Sequence, residues 1–300
     1  MRKKILVAGL INIETTVKIE SFPIDYTPVR FAFHGVRSTI SGVGYNVTKA
    51  LTTLGNEVDF LSLIGEDIIG TTVRAELDKI RVSHQHVLAH LKETPQSAIL
   101  YDSDGKRMIN SDLKDIQETH YPLLHLNLEN VNLAVLANIN FSRPMLARVK
   151  AAGIPIATDI HTISTLDDDY NRDYMAHADI LFMSDENLPV TPEEWVHQLW
   201  ERYNTPIIGI GLGAEGALIA VKDNNHIERI PAKALRPIVN TIGSGDALFS
   251  SFVHSYLQDK DLIIAMKKAV LFAGYKIGVA GGGDGFMTAD QLEKAYTDHY

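Results

Sequence analysis

Apolar runs of strand length alternate with helix-like segments along most of the chain. The runs at 4–10, 57–64, 133–138, 155–159 and 179–183 are rich in Val, Ile and Leu. That character suits parallel strands covered on both faces. Helical patterns intervene at 45–54, 70–80, 144–152 and 192–203, so the order predicts one doubly wound α/β domain over residues 1–300. Two stretches break the alternation. Residues 15–19 and 29–40 read as short strands, as do 97–101 and 106–110 across a Ser103-Asp104-Gly105 turn. These strands form a small sheet drawn from about 12–40 and 95–112, serving either as a lid or as an edge extension. Nearer the C-terminus, 216–221 and 226–231 flank Asp223-Asn224-Asn225 as a hairpin, and helices are expected at 246–256, 262–279 and 289–296.

Composition narrows the functional classes. With 300 residues, 45% hydrophobic and 22% charged, the chain has the balance of a globular protein with a sizeable core. A net charge of −9 argues against nucleic acid or an anionic membrane as partner, since both need a broad basic face. The absence of cysteine excludes disulfides, thiol nucleophiles and cysteine-ligated metals, and fits a cytoplasmic setting. The apolar run after Met1-Arg2-Lys3-Lys4 stops at Asn12 and Glu14, which favours a buried first strand over a targeting signal. No run is long enough to span a membrane.

The most informative segment is Asn240-Thr241-Ile242-Gly243-Ser244-Gly245-Asp246, followed directly by an apolar helical stretch. A helix N-terminus offers backbone N–H groups without intrahelical partners and a partial positive charge, and small residues let an anion approach them. Asp246 beside such a turn is placed to accept a proton from a hydroxyl, which points to phosphoryl transfer. Ser41-Gly42-Val43-Gly44-Tyr45-Asn46 precedes a second helix; Gly42 and Gly44 permit close approach, and Asn46 offers both a donor and an acceptor. Asn12 and Glu14 leave the first strand with their side chains to one side, where open α/β sheets bind ligands. Gly211-Leu212-Gly213-Ala214-Glu215-Gly216 matches the dinucleotide spacing G-x-G-x-x-G, but the next segment reads as a strand, so that assignment fails. The twelve histidines form no recognisable ligand set.

Two of these motifs together resemble the ribokinase-like (PfkB) family of carbohydrate and nucleoside kinases. Gly42-x-Gly44-x-Asn46-x-Thr48, with Gly55 and Gly65, is similar to the N-terminal signature, and Asn240–Asp246 to the C-terminal one. The resemblance implies a ribokinase-like sheet flanked by helices with a small β-sheet lid. It implies Asp246 as catalytic base, with the backbone of Gly243, Ser244, Gly245 and Asp246 forming the anion hole. Asn12, Glu14, Gly42, Gly44, Asn46 and Asn138 correspond to substrate-binding positions. Gly213, Gly216, Thr241, Gly243, Gly245, Gly281 and Gly282 fall near the nucleotide. Three positions depart from the family. Asn240 replaces a common Asp that helps bind a monovalent cation, which leaves K⁺ activation open. The Asn-x-x-Glu motif that organises Mg²⁺ is degenerate at Ser184-Asp185-Glu186-Asn187, so either Asp185 and Glu186 serve as metal ligands through a one-residue shift or metal binding is arranged differently. Ser251 occupies a place usually held by Ala or Gly.

The expectation is an ATP- and Mg²⁺-dependent kinase acting on a hydroxymethyl group of a small carbohydrate. A ribonucleoside kinase is the alternative, with Phe31, Phe33 and Tyr101 available for stacking on a base. A sugar-phosphate kinase would need Arg37, Arg107 or Arg143 at the pocket, and a non-catalytic sensor is the reading outside enzymology. Dimerisation through the lid is a further expectation.

Overall fold

The computed structural model describes residues 3–103, 106–259 and 261–300. The chain opens with β1 (Lys4–Ala8), β2 (Asn12–Lys18) and β3 (Val36–Ser41), then α1 (Val43–Thr53), β4 (Glu57–Gly65) and α2 (Ile68–Lys79). Next come β5 (Val87–Leu91), β6 (Gln96–Tyr101), β7 (Arg107–Asp112) and β8 (Leu133–Leu136). They lead into α3 (Arg143–Ala151), β9 (Ile156–Asp159), α4 (Arg172–His177), β10 (Ile180–Ser184) and α5 (Pro192–Tyr203). The last third holds β11 (Ile207–Gly211), β12 (Gly216–Val221), β13 (His226–Pro231), α6 (Ser244–Asp259), α7 (Leu262–Lys276) and α8 (Ala289–His299).

Among the described residues the main sheet has nine strands in the order β13-β12-β11-β10-β9-β8-β1-β4-β5. Neighbours from β11 through β5 run parallel, while β12 pairs antiparallel with both β11 and β13. The chain leaves β1 toward β4 on one side and later returns to β8 on the other. That reversal opens a crevice at the carboxyl end of β1, the usual ligand position in such sheets. One face of the sheet packs Met145, Leu146 and Val149 of α3, Tyr174 of α4 and Trp195 and Leu199 of α5. The opposite face packs Val47 and Leu51 of α1, Val73 and Leu77 of α2, Phe249 and Phe252 of α6 and Met266 of α7. Burial on both faces explains why the central strands lack polar alternation.

Helix starts follow local chemistry. Thr191 and Glu194 form a capping box at α5, Thr288 and Gln291 form one at α8, and Asp261 accepts the Ile263 and Ile264 N–H groups at 3.0 Å to start α7. A separate four-stranded sheet, β3-β2-β6-β7, pairs β2 parallel to β6 and is otherwise antiparallel.

The expected strand at 29–40 shrinks to β3. A turn closed by Gly35 N–H on the Ala32 carbonyl (3.0 Å), with His34 at φ 56°, interrupts it and leaves Phe31 and Phe33 on an exposed loop instead of a strand. The helix expected to reach 279 ends at Lys276. The segments β5, β11 and α4 were not anticipated. The C-terminal hairpin is present as β12–β13, whereas Asp104 and Gly105 of the other expected turn lie outside the described residues. No described helix is long and apolar enough to cross a membrane.

Candidate active site

Asp246 lies in the first turn of α6, at the mouth of the crevice. Its carboxylate accepts a hydrogen bond from Asn46 Nδ2 at 2.7 Å, joining residues two hundred positions apart. Burial pushes its pKa up from 3.8 to about 6; the Asn46 bond and His161 pull it down, while Asp159 and Glu14 push it further up. The turn before it is shaped by Gly243 at φ 75°, where a side chain would collide with the Gly282 carbonyl. The Ser244 N–H is taken by the Thr241 carbonyl at 3.2 Å. The N–H groups of Gly243, Gly245 and Asp246 have no hydrogen-bond acceptor among the described residues. Of the four amides expected to face an anion, three are thus open and the Ser244 amide is engaged within the turn.

Strand β2 carries the other polar face. Asn12 Nδ2 donates to Ser97 Oγ at 2.8 Å, and Glu14 accepts from Ser41 Oγ at 3.1 Å. Asn12 Oδ1 and Glu14 Oε1 are buried without a hydrogen-bond partner. Two orphaned acceptors on one strand, with Glu14 within electrostatic reach of Asp246, are what a polyol's hydroxyl donors would satisfy. Burial raises the Glu14 pKa, opposed by Ser41, the Gly282 N–H, Lys276 and Arg107. Gly42 caps α1 in extended left-sided backbone (φ 102°), and Gly44 abuts Gly9. Asn138, just beyond β8, bonds to Asn171 at 3.0 Å and makes no hydrogen bond to the Asp246 group among the described residues.

Four of the glycines expected near the nucleotide sit on two loops. Gly213 opens a 3₁₀ turn that ends where Gly216 begins β12. The intervening geometry is strand–turn–strand, so the G-x-G-x-x-G spacing has no helix to present to a pyrophosphate. Gly281 and Gly282 lie on the loop after α7, and Gly282 packs against Ser41 and Asn46. Asp185 and Glu186, past the end of β10, are exposed, and their carboxylates make no hydrogen bond or ion pair among the described residues.

The small sheet reaches over this site through two arginines. Arg107 Nη1 donates to Thr241 Oγ1 at 3.3 Å, and Arg37 pairs with Asp284 at 2.8 Å. Arg143 is committed elsewhere, to Asp173 and the Tyr170 carbonyl. Sequence reasoning missed Lys276, Asp159 and His161, which all act electrostatically on Asp246. Asp159 and His161 were detectable by the strand-end position of Asp159 in β9; a lysine inside an apolar helix such as α7 was the signal for Lys276.

The description "pfkB family carbohydrate kinase" matches residues 2–289 of the chain. The chain belongs to the PfkB family of carbohydrate kinases. It is 24% identical over 278 residues to the ATP-dependent ribose-1-phosphate kinase of Halopiger xanaduensis, covering 89% of each chain. Among solved structures it superposes on the microbiome-derived acarbose kinase Mak1 with a TM-score of 0.88, at 21% identity and 99% coverage of both. The nucleoside kinase of Burkholderia thailandensis, solved with inosine, aligns with a TM-score of 0.82 at 18% identity, covering 99% and 98%. This PfkB member is therefore an ATP-dependent carbohydrate kinase with the ribokinase fold.

The family implies ATP as substrate and usually a divalent metal. Among the described residues no three His, Cys, Asp or Glu side chains cluster as a metal cage. Mg²⁺ is usually held by substrate phosphates, water and one or two carboxylates, a demand that the open Asp185 and Glu186 fit. A bound K⁺ fits less well: Asn240 Oδ1, at the position of the family's Asp, is taken by the Ile242 N–H at 3.0 Å.

Proposed function

We propose that this PfkB kinase transfers the γ-phosphate of ATP to a hydroxymethyl group of a small carbohydrate, ribose- or fructose-like, with Asp246 as the base. The observation that carries the reading is the Asn46–Asp246 bond beside the orphaned Asn12 and Glu14 acceptors. Asn12, Glu14 and Asn46 hold the acceptor's hydroxyls, with Gly42 and Gly44 allowing it to approach the α1 backbone. Asp246 takes the proton of the attacking hydroxyl as the oxygen closes on the phosphorus in line. The open amides of Gly243 and Gly245 receive the charge that develops on the phosphoryl oxygens; a donor of this kind is worth about 3 kcal/mol. Gly213, Gly216, Thr241, Gly281 and Gly282 border the nucleotide. Asp185 and Glu186 would hold Mg²⁺, which supplies charge neutralisation on the phosphates when bound.

In this reading the four-stranded sheet is a lid, drawn from about 12–40 and 95–112 of a single 1–300 domain. Closed by Arg107 and Arg37, it excludes the water that would otherwise hydrolyse ATP. Its exposed Val36, Met108 and Ile109, with Phe31 and Phe33 on the adjoining loop, suit a homodimer through the lid. We place the enzyme in the cytoplasm, where ATP is available.

A phosphorylated sugar is the second reading for the acceptor. Arg107 reaches the Asp246 turn from the lid and is placed to pair with an acceptor phosphate, and the Halopiger relative is named for ribose 1-phosphate. The ribonucleoside alternative draws on the Burkholderia nucleoside kinase, but Phe31 and Phe33 stack on one another at 6.0 Å on the loop before β3. An ADP-release screen over pentoses, hexoses, their monophosphates and ribonucleosides separates these readings. Ligand binding without ADP release throughout that panel would leave a sensor instead.

A further inference from the structure

Lys276 ends α7 with 0% of its surface exposed. Its Nζ donates to the Gly281 carbonyl at 2.6 Å. Burial lowers its pKa to about 8; Asp284, Asp246 and Glu14 favour its charge, and Arg236 opposes it. Removing an ammonium from water costs several kcal/mol unless nearby negative charge offsets it. Capping one carbonyl does not require a charge, since a neutral amide or hydroxyl donor would suffice. The charge therefore needs its own reason.

The surrounding acids supply that reason. Asp284 is already paired with Arg37 at 2.8 Å and with Lys49 at 3.2 Å. Glu14 and Asp246 have no ion pair among the described residues, yet both line the place where a phosphoryl group must arrive. Two uncompensated carboxylates would repel that group through a low-dielectric interior. Lys276 also stands where the two active loops meet. The carbonyl of its neighbour Ile277 accepts the Val239 and Asn240 N–H groups at 2.8 and 3.2 Å, on the approach to the Gly243 turn. Gly281, which it bonds, begins the loop whose Gly282 packs against Gly243, Ser41 and Asn46.

We propose that Lys276 is a built-in monovalent cation of the transfer site. Its ammonium fixes the 281–283 loop against the Gly243 turn and offsets the Glu14 and Asp246 carboxylates, so the turn receives phosphate without added K⁺. It is a positioning residue, because it acts through the loop and the local field without touching the reacting atoms. The inference rests on the phosphoryl-transfer reading of Asp246.

The test uses the full-length enzyme with Lys276→Met, Lys276→Ala and Lys276→Arg. Lys276→Met fills the same volume without charge and should melt at or above the wild-type temperature. It should lose about 100-fold in kcat while both KM values stay within about threefold. In Lys276→Ala, ammonium or potassium chloride should restore at least about tenfold of the lost turnover, in proportion to the charge returned. Tetramethylammonium chloride at equal ionic strength should restore none, being too large for the vacated space. Lys276→Arg should retain more turnover than Lys276→Met, and the wild type should be indifferent to which of these salts is present.

A second readout does not depend on turnover. Hydrogen exchange in a peptide spanning 278–287 should quicken by about tenfold in Lys276→Met, with exchange in β1 unchanged. Folded Lys276→Met with turnover within about threefold of wild type overturns the proposal. So does a wild type that needs K⁺, a Lys276→Ala defect that no small cation relieves, or unchanged loop exchange. A wild type that phosphorylates nothing would sink the transfer reading instead, and the exchange comparison would still decide whether Lys276 holds the loop.

Discussion

Replacing Asp246 with Asn should remove activity and stabilise the protein at the same time. In the folded state burial lifts the Asp246 pKa from 3.8 to about 6. The folded protein therefore binds a proton more tightly than the unfolded chain, and stability falls as pH rises between those two values. Above about 6 the ionised carboxylate destabilises the fold by about 3 kcal/mol, at 1.36 kcal/mol per pKa unit. Asn cannot ionise, and its carbonyl oxygen can still accept from Asn46 Nδ2, replacing the 2.7 Å bond that Asp246 accepts. Urea titrations of wild type and Asp246→Asn should thus show the variant more stable by about 3 kcal/mol at pH 7.5, narrowing to roughly half of that at pH 5. Turnover should fall about 100- to 10,000-fold, the range for loss of a general base. A variant no more stable than wild type at pH 7.5, or a gain independent of pH, would refute the burial argument. Near-normal turnover in the folded variant would remove Asp246 as the base.

Wild-type kcat/KM should trace a bell in pH, rising as Asp246 ionises through about 6 and falling as Lys276 loses its proton through about 8. Lys276→Arg should flatten the basic limb alone, and an unchanged limb would count against a role for that charge. In Gly282→Ala the new methyl would lie 2.8 Å from Ser41 Oγ and 3.0 Å from Asn46 Nδ2, displacing Asn46 from Asp246. A drop of about 100-fold in turnover is expected, with only a small change in melting temperature because both neighbours are side-chain ends; steady-state kinetics and calorimetry together check this. Arg107→Ala should loosen the lid at Thr241, raising acceptor-independent ATP hydrolysis while changing stability by less than about 1 kcal/mol. Unaltered background hydrolysis would mean that this contact does not govern closure.

Much of the architecture was legible because burial on both faces writes itself into composition. The Val/Ile/Leu runs that became β1, β4, β8, β9 and β10 carry few polar residues because helices cover both sides of the sheet. The rejected dinucleotide reading at 211–216 was legible for the same reason, since Ala217–Val221 has strand composition. The loop at 29–35 was misread because its aromatic alternation mimics a half-buried strand, while Phe31 and Phe33 in fact face solvent. Segment β11 was hidden because its Ile207-Ile208-Gly209-Ile210-Gly211 run merges with a glycine turn.

By itself the sequence determined the local grammar: which segments pack inside, where α6 begins, and that Gly243 through Asp246 opens that helix with small residues and an acid. Those properties depend on neighbours within a few residues, or on apolar period alone. Only the tertiary structure decided that Asn46 meets Asp246, that Arg107 reaches Thr241 from the small sheet, that Asn138 turns to Asn171, and that Lys276 is sealed against the Gly281 carbonyl. Those contacts link residues brought together by the β1 crevice and by loop closure. Electrostatic environment depends on what surrounds a charge in space, which no spacing along the chain encodes.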